Sequence, residues 1–394
     1  MKKWPYLVVA STATLALLTG CGGPGGAADG DGPIKIGVIA DLTGATGDVG
    51  TPYNRGMLDY VSWRNKKGGI DGRKIEADSN DYAYKVPAAE ELYKKYVADG
   101  SVAIQGWGTS DSDALRTKVA TDELPFMSGS LAEALTDPKQ SPYNFVPAST
   151  YSDQMRVALD WINGDSGGKG NVAVLHIDAP AGLEPTKDGA EWVKEKGYDL
   201  TYKNYPMPSA SSFVSLLLKA QKQGAGYVIV QHVSSPAAQV AKDLAAQGMK
   251  MKIVCLSICA DEFFVKTAGA AAEGAVMVTP VAPPTAEKPG HEEMRKFLEA
   301  KGGDLDTEGV HYVQGWYTMA VMAAGIEKTL ADGDDLTGAN IRAALESMPA
   351  VDTGEAMGEP KFSSDSHRGE RQSGVYQVKD GTITELEASL TPQE

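Results

Sequence analysis

Apolar residues fall along this chain in short unbroken runs that alternate with longer stretches of helical spacing. The first run, Ile34-Lys35-Ile36-Gly37-Val38-Ile39-Ala40, has the composition of a strand buried on both faces. A glycine-rich loop follows over 41–50, then Thr51 and Pro52, a hydroxyl suited to an N-cap and a proline suited to the first helical position. The predicted helix carries Met57, Leu58 and Val61 and stops at Gly68-Gly69, because glycine enters the left-handed region at little cost. A strand restarts at Ile75. Strand, loop, helix and strand in this order form one unit of a parallel sheet.

The alternation continues. Helical spacing over 84–98 leads to an apolar run at 102–104. A helix bearing Leu115, Val119 and Ala120 precedes runs at 125–127 and 143–147. A second series then pairs helices at 152–162, 185–196, 211–221 and 237–247 with strands at 172–177, 200–205, 227–230, 252–256 and 274–279. The tail predicts helices at 292–300, 308–330 and 338–348. It ends in a hairpin of 374–378 and 382–386 turned by Asp380-Gly381. The expected fold class is α/β, with two Rossmann-like lobes whose parallel sheets are flanked by helices.

Composition agrees with two cored lobes: 394 residues, 42% of them hydrophobic. The net charge of −15 argues against a nucleic-acid partner. The N-terminus reads as an export signal over 1–20, with Lys2 and Lys3 ahead of an apolar core at 7–18 that is short for a membrane span. It ends Leu18-Thr19-Gly20-Cys21, which resembles a bacterial lipobox and implies a lipid on the Cys21 sulfur. Residues 21–33, rich in glycine and with Pro24 and Pro33, read as a flexible tether. A globular body held to a membrane by lipid is the expected arrangement. Cys255 and Cys259 are either a disulfide or two reduced thiols; their spacing is neither a redox motif nor a zinc site.

The ending Asn65-x-x-Gly68-Gly69-Ile70-x-Gly72, after a glycine loop and helix, resembles the first unit of the periplasmic solute-binding proteins that feed branched-chain amino acid ABC transporters. Gly248, Ala272-Glu273-Gly274 and the helix around Tyr317 fit the same pattern, so the resemblance runs over roughly 34–388. It implies type I architecture, with two lobes joined by three hinge crossings. One lobe is then formed by 34–147 and 280–354, and the other by 148–279 and 355–394. It also implies an exported receptor with a small-molecule ligand and ABC permease subunits as partners.

In open parallel sheets ligands bind beyond the carboxyl ends of the strands. Those ends nominate Trp107, Gly108, Thr109, Ser110, Ser128, Ser130, Leu131 and Ala132 in the first lobe, and Asp178, His232, Ser234 and Ser257 in the second, with Tyr151 between them. The hydroxyls suit a carboxylate or amide held by neutral donors. Thr109 or Ser110 alternatively caps the helix that follows. Trp107 either stacks on ligand or packs in the core, and His232 either bonds ligand or is structural. By resemblance, Ser110 and the run from Ser130 to Ala132 grip an amino acid's carboxylate and ammonium. Ala132 stands where a threonine is common, and the family's aromatic at Ala181 and acid near Ser257 are missing.

Catalytic, metal and cofactor patterns are not apparent. The five histidines are scattered, and His291-Glu292-Glu293-Met294 lacks the second histidine of a zinc protease helix. There is no phosphate-loop lysine. The expected protein is a non-enzymatic, lipid-anchored receptor of an ABC importer. It takes an amino acid, branched-chain in type, or a related carboxylate or amide. The alternative is a ligand-sensing component of a signalling system with the same fold.

Overall fold

The strand at Ile34–Ala40 (β1) lies inside its sheet, paired on both sides, and both its faces are apolar: Ile34, Ile36, Val38 and Ile39 are wholly buried. The computed structural model describes Met1 and residues 32–393. The expected signal segment, nearly all of the tether, and Cys21 lie outside the described residues.

The first series is β1, α1 (Gly47–Lys66), β2 (Ile75–Asp81), α2 (Val86–Ala98), β3 (Ala103–Gly106), α3 (Thr109–Thr121), β4 (Phe126–Ser128) and β5 (Asn144–Phe145). Its strands form a five-stranded parallel sheet in the order β2-β1-β3-β4-β5. The second series is α4 (Tyr151–Asp165), β6 (Lys169–Ile177), α5 (Pro180–Lys196), β7 (Asp199–Met207), α6 (Val214–Lys222), β8 (Tyr227–Gln231), α7 (Ser234–Ala246), β9 (Lys252–Leu256), α8 (Glu262–Ala268) and β10 (Val276–Thr279). The chain then returns to the first sheet with α9 (Glu292–Glu299), α10 (Leu305–Glu308), α11 (Val310–Ala331) and α12 (Gly338–Ser347). It closes on the hairpin of β11 (Ser373–Lys379) and β12 (Thr382–Leu390). That hairpin joins the second sheet antiparallel at β10, giving seven strands in the order β12-β11-β10-β9-β8-β6-β7.

The chain therefore passes between the sheets at three places, and these passes are tied together. Ser149 and Ser373 share a 2.7 Å hydroxyl contact, and Val281 bridges Met357. The third pass lies later than the residue 354–355 boundary expected from the sequence. Phe362 and His367 still pack on Phe145 of the first lobe, and the chain enters the second sheet only at Ser373.

Several helix starts also differ from expectation. α1 begins at Gly47, not at Thr51, and Pro52 lies inside it. The cause is Asp41, whose carboxylate accepts the N–H groups of Gly44 and Thr46 and the Thr46 hydroxyl, folding the loop tightly enough for the helix to start early. α5 begins at Pro180 and α7 at Ser234, so the segments read as loops after β6 and β8 are first helical turns. α8 was not anticipated: it is a seven-residue helix, too short for periodicity to show, started by the Asp261 carboxylate accepting the Phe264 N–H. Cys255 and Cys259 are both free and buried, which selects the thiol alternative.

Candidate functional site

The carboxyl ends of the two sheets face one cleft, and nearly every residue lining it is a strand end or a first helical turn. The first lobe contributes Thr46 at the N-cap of α1, Trp107 and Gly108 after β3, Thr109 opening α3, and Gly129 after β4. Tyr84 precedes α2, and His311 and Gln314 lie on the first turns of α11. The second lobe contributes Tyr151 opening α4, Ile177 ending β6, Ala181 on α5, His232 and Val233 between β8 and α7, and Ser257 and Ile258 after β9. The space between these atoms is about 540 Å³, with the open solvent at its mouth included.

Of the residues nominated from the sequence, the structure brings Trp107, Gly108, Thr109, Tyr151, His232 and Ser257 to the cleft. The others stand elsewhere. Ser130 is buried behind Thr109, their hydroxyls 2.7 Å apart. Ser128 is turned toward Ser112 and the Ser130 N–H. Leu131 accepts the Tyr151 N–H on its carbonyl at 2.8 Å, and Ala132 is buried beside it. Ser110 lies next to the Tyr84 hydroxyl, one position past the lining. Asp178 is exposed and is not among the lining residues; the chain after Ile177 turns at once into α5. Ser234 is fully buried and donates to Asp261. Neither Thr109 nor Ser110 is the N-cap of α3; Gly108 is.

Trp107 is both a lining residue and a core residue. It lines the cleft, yet it is 9% exposed, packs at 5.0 Å on Tyr53, and donates its indole N–H to Thr46 Oγ1 at 2.7 Å. Thr46, Val49, Tyr84, Gly129, Ile177, Ala181, Val233, Ile258, His311 and Gln314 were not assigned to the site from the sequence. Strand-end reasoning reached the loops of Ile177, Ala181, Val233 and Ile258 without selecting them. His311 and Gln314 carried no such signal, since they come from the tail helix α11.

Among the described residues that line the cleft there is no Asp, Glu, Lys or Arg. Its ionisable groups are two histidines and two tyrosines. Burial and the neighbouring His176 push His232 down to about 4, so the ring is neutral. Its Nδ1 accepts the Val233 N–H at 2.8 Å, which leaves the proton on Nε2. Burial opposes protonation of His311 as well, but Asp261 at 3.0 Å from its Nε2 outweighs burial and the pKa is raised. Burial and Asp111 raise Tyr84 to about 12, so it remains a hydroxyl donor. Behind the wall, Asp111 is wholly buried; it accepts the Tyr82 hydroxyl at 2.6 Å, and burial lifts its pKa to about 7. No group of three or more His, Cys, Asp or Glu able to hold a metal is found among the described residues. The arrangement offers neutral donors and an apolar wall to a small molecule.

Comparison with known proteins adds independent findings. A family model described as periplasmic binding protein matches residues 33–382. The chain is 24% identical over 273 residues to a Leu/Ile/Val-binding protein homolog 2 of Brucella abortus, covering 68% of this chain and 72% of the relative. Among solved structures it resembles a branched-chain amino acid ABC transporter protein from Thermus thermophilus with bound valine, at TM-score 0.85 and 22% identity over 92% of this chain and 97% of the other. It also resembles a fatty acid ABC transporter substrate-binding protein from Thermomonospora curvata, at TM-score 0.83 and 21% identity over 92% and 95%.

Proposed function

The chain belongs to the periplasmic binding protein family, and from that membership and the cleft between its sheets we propose that it is the extracytoplasmic solute receptor of an ABC importer. It binds a small organic molecule between the lobes and hands it to a membrane permease. The ligand comes from the range of amino acids and related carboxylates or amides. The observation that carries this reading is the cleft itself: both sheets point their strand ends into it, so a ligand held there touches both lobes at once. The reading includes no catalysis; the lining has donors and an apolar wall. Thr109, Trp107, Tyr151, His232 and Ser257 are the ligand contacts, with Ser130 holding the Thr109 hydroxyl in place.

The membrane attachment is part of the same proposal. Cys21 carries the lipid, and the glycine-rich tether leaves the globular body free to meet the permease. Two measurements test it. Small molecules released on denaturing the purified protein are identified by mass spectrometry, and uptake of the compound found is compared in cells with and without this chain. Unchanged uptake sinks the transport reading. Cys21→Ser is expected to move the protein out of the membrane fraction, and full membrane retention of that variant removes the anchor from the proposal.

A further inference from the structure

The walls of the cleft differ in what they ask of a ligand, and the difference bears on its charge. Thr46, Thr109, Tyr151 and Val233 mark places where α1, α3, α4 and α7 begin. The Thr46 and Tyr151 N–H groups are taken by Asp41 and the Leu131 carbonyl, but the dipoles of helices that start at one cleft favour acceptor oxygens over cations there. The second observation is on the opposite wall. Ser257 lines the cleft and is 6% exposed, yet its Oγ has no hydrogen-bond partner. A buried hydroxyl left unpaired costs stability unless something in the cleft completes it. His232, which lines the cleft too, is neutral with Nδ1 already accepting the Val233 N–H, and holds a donor at Nε2.

Carboxylates are near but committed. Asp111 is buried under Tyr82 and the Trp107 N–H, and Asp261 is shared by Ser234 and His311. Neither lines the cleft. An ammonium group placed here would be stripped of water with no carboxylate to meet it, which is strongly unfavourable. Trp107, Ile177, Ala181, Val233 and Ile258 form the apolar part of the wall, and the further polar groups on it, Tyr84, His311 and Gln314, are uncharged or cationic and include no carboxylate.

We propose that the ligand carries an acceptor oxygen, carboxylate or carbonyl, on an apolar body and bears no ammonium group, and that Ser257 Oγ and His232 Nε2 are the donors that select it. This rests on the solute-receptor reading and narrows it: amino acids themselves are discriminated against. The same acceptor oxygen is offered by an acid or by an amide, and the charge of the head group separates the two.

The test is calorimetric titration of the detergent-solubilised full chain, after removal of any co-purified solute, with two matched sets. One is hydrocinnamate, hydrocinnamamide and L-phenylalanine; the other is isocaproate, isocaproamide and L-leucine. In at least one set the acid or the amide is expected to bind at least roughly tenfold more tightly than the amino acid. Ser257→Ala and His232→Gln are each expected to weaken the acid or amide by roughly fivefold, while the ligand-free Ser257→Ala protein, relieved of a buried unpaired hydroxyl, melts no lower than the parent. An amino acid that binds as tightly as its des-amino partner overturns the inference and leaves the receptor standing. Unchanged acid and amide affinity in both variants also overturns it. If none of the six compounds binds and mass spectrometry finds no small molecule released from the protein, the receptor reading falls and the inference falls with it.

Discussion

Thr109 and Ser110 are neighbours with different fates, and only the structure separates them. Both follow a strand and both open a helix, so the sequence offers them equally as ligand contacts or caps. One hundred degrees of helical turn places Thr109 on the cleft and Ser110 beside Tyr84. Thr109→Ala is therefore expected to weaken ligand binding by up to about tenfold, the loss of one hydrogen bond, while Ser110→Ala changes affinity less than about twofold. Equal losses in calorimetric titration would place both hydroxyls on the ligand. Trp107 is the opposite case, a residue that lines the cleft and is part of the core. Because it is packed on Tyr53 and bonded to Thr46, Trp107→Ala is expected to destabilise the ligand-free protein by about 3–5 kcal/mol in urea unfolding. A ligand-free stability within about 0.5 kcal/mol of the parent would make Trp107 a ligand contact with no part in the core.

The elements were largely readable because each strand is a compact apolar run and each long helix keeps its spacing over several turns. What escaped was set by contacts far away in sequence. The start of α1 is fixed by the Asp41 carboxylate, and α8 exists because Asp261 caps it and α7 packs on it. The closest crossing in the first lobe was equally hidden. α1 and α11 approach so tightly that a Cβ on Gly56 would stand 2.0 Å from the Tyr312 carbonyl oxygen, and one on Gly315 would stand 1.9 Å from the Tyr53 carbonyl oxygen. The two glycines are a reciprocal pair, each making room for the other helix's backbone. Gly56→Ala or Gly315→Ala must push the helices apart, and a loss of about 1–3 kcal/mol in chemical unfolding is expected for each. Neutral substitutions at both would mean the helices shift freely here. Since α11 also carries His311 and Gln314 into the cleft, such a shift is expected to lower ligand affinity as well.

At the scale of the whole molecule the lobes meet through a few polar bridges, and two of these titrate. Strand-end logic nominated six of the sixteen residues that line the cleft, and it had no means of showing that α11 of the first lobe docks on α8 of the second. There Glu262 accepts the Val310 N–H at 2.9 Å, and His311 meets Asp261 at 3.0 Å. Asp48 and Arg55 from α1, Asp306 and Glu308 around α10, and Lys266 from α8 surround the same junction. Ser235 adds a bridge to Asp48 at 2.8 Å. Burial raises Glu262 from 4.5 to about 7. His311, despite burial, is raised above 6.5 by Asp261. If opening returns both groups to water, both regain ordinary values, and closure takes up protons. For His311 the stabilisation of the closed form is present in full below 6.5 and is lost as pH rises through the raised value. For Glu262 the cost of burying the carboxylate is felt above 7 and disappears as pH falls from 7 toward 4.5. The two effects have the same sign, so closure and ligand affinity are both expected to strengthen between pH 8 and pH 6, by up to roughly tenfold per pH unit per proton taken up. Calorimetry at several pH values in buffers of different ionisation enthalpy counts that proton, and small-angle scattering reads the accompanying fall in radius of gyration on ligand addition. Glu262→Gln keeps the acceptor for Val310 and removes the titration, so its affinity is expected to depend less steeply on pH than that of the parent. A parent protein whose affinity is flat from pH 8 to pH 6 would mean that this junction stays shut when the ligand leaves, and the hinge would then have to open elsewhere.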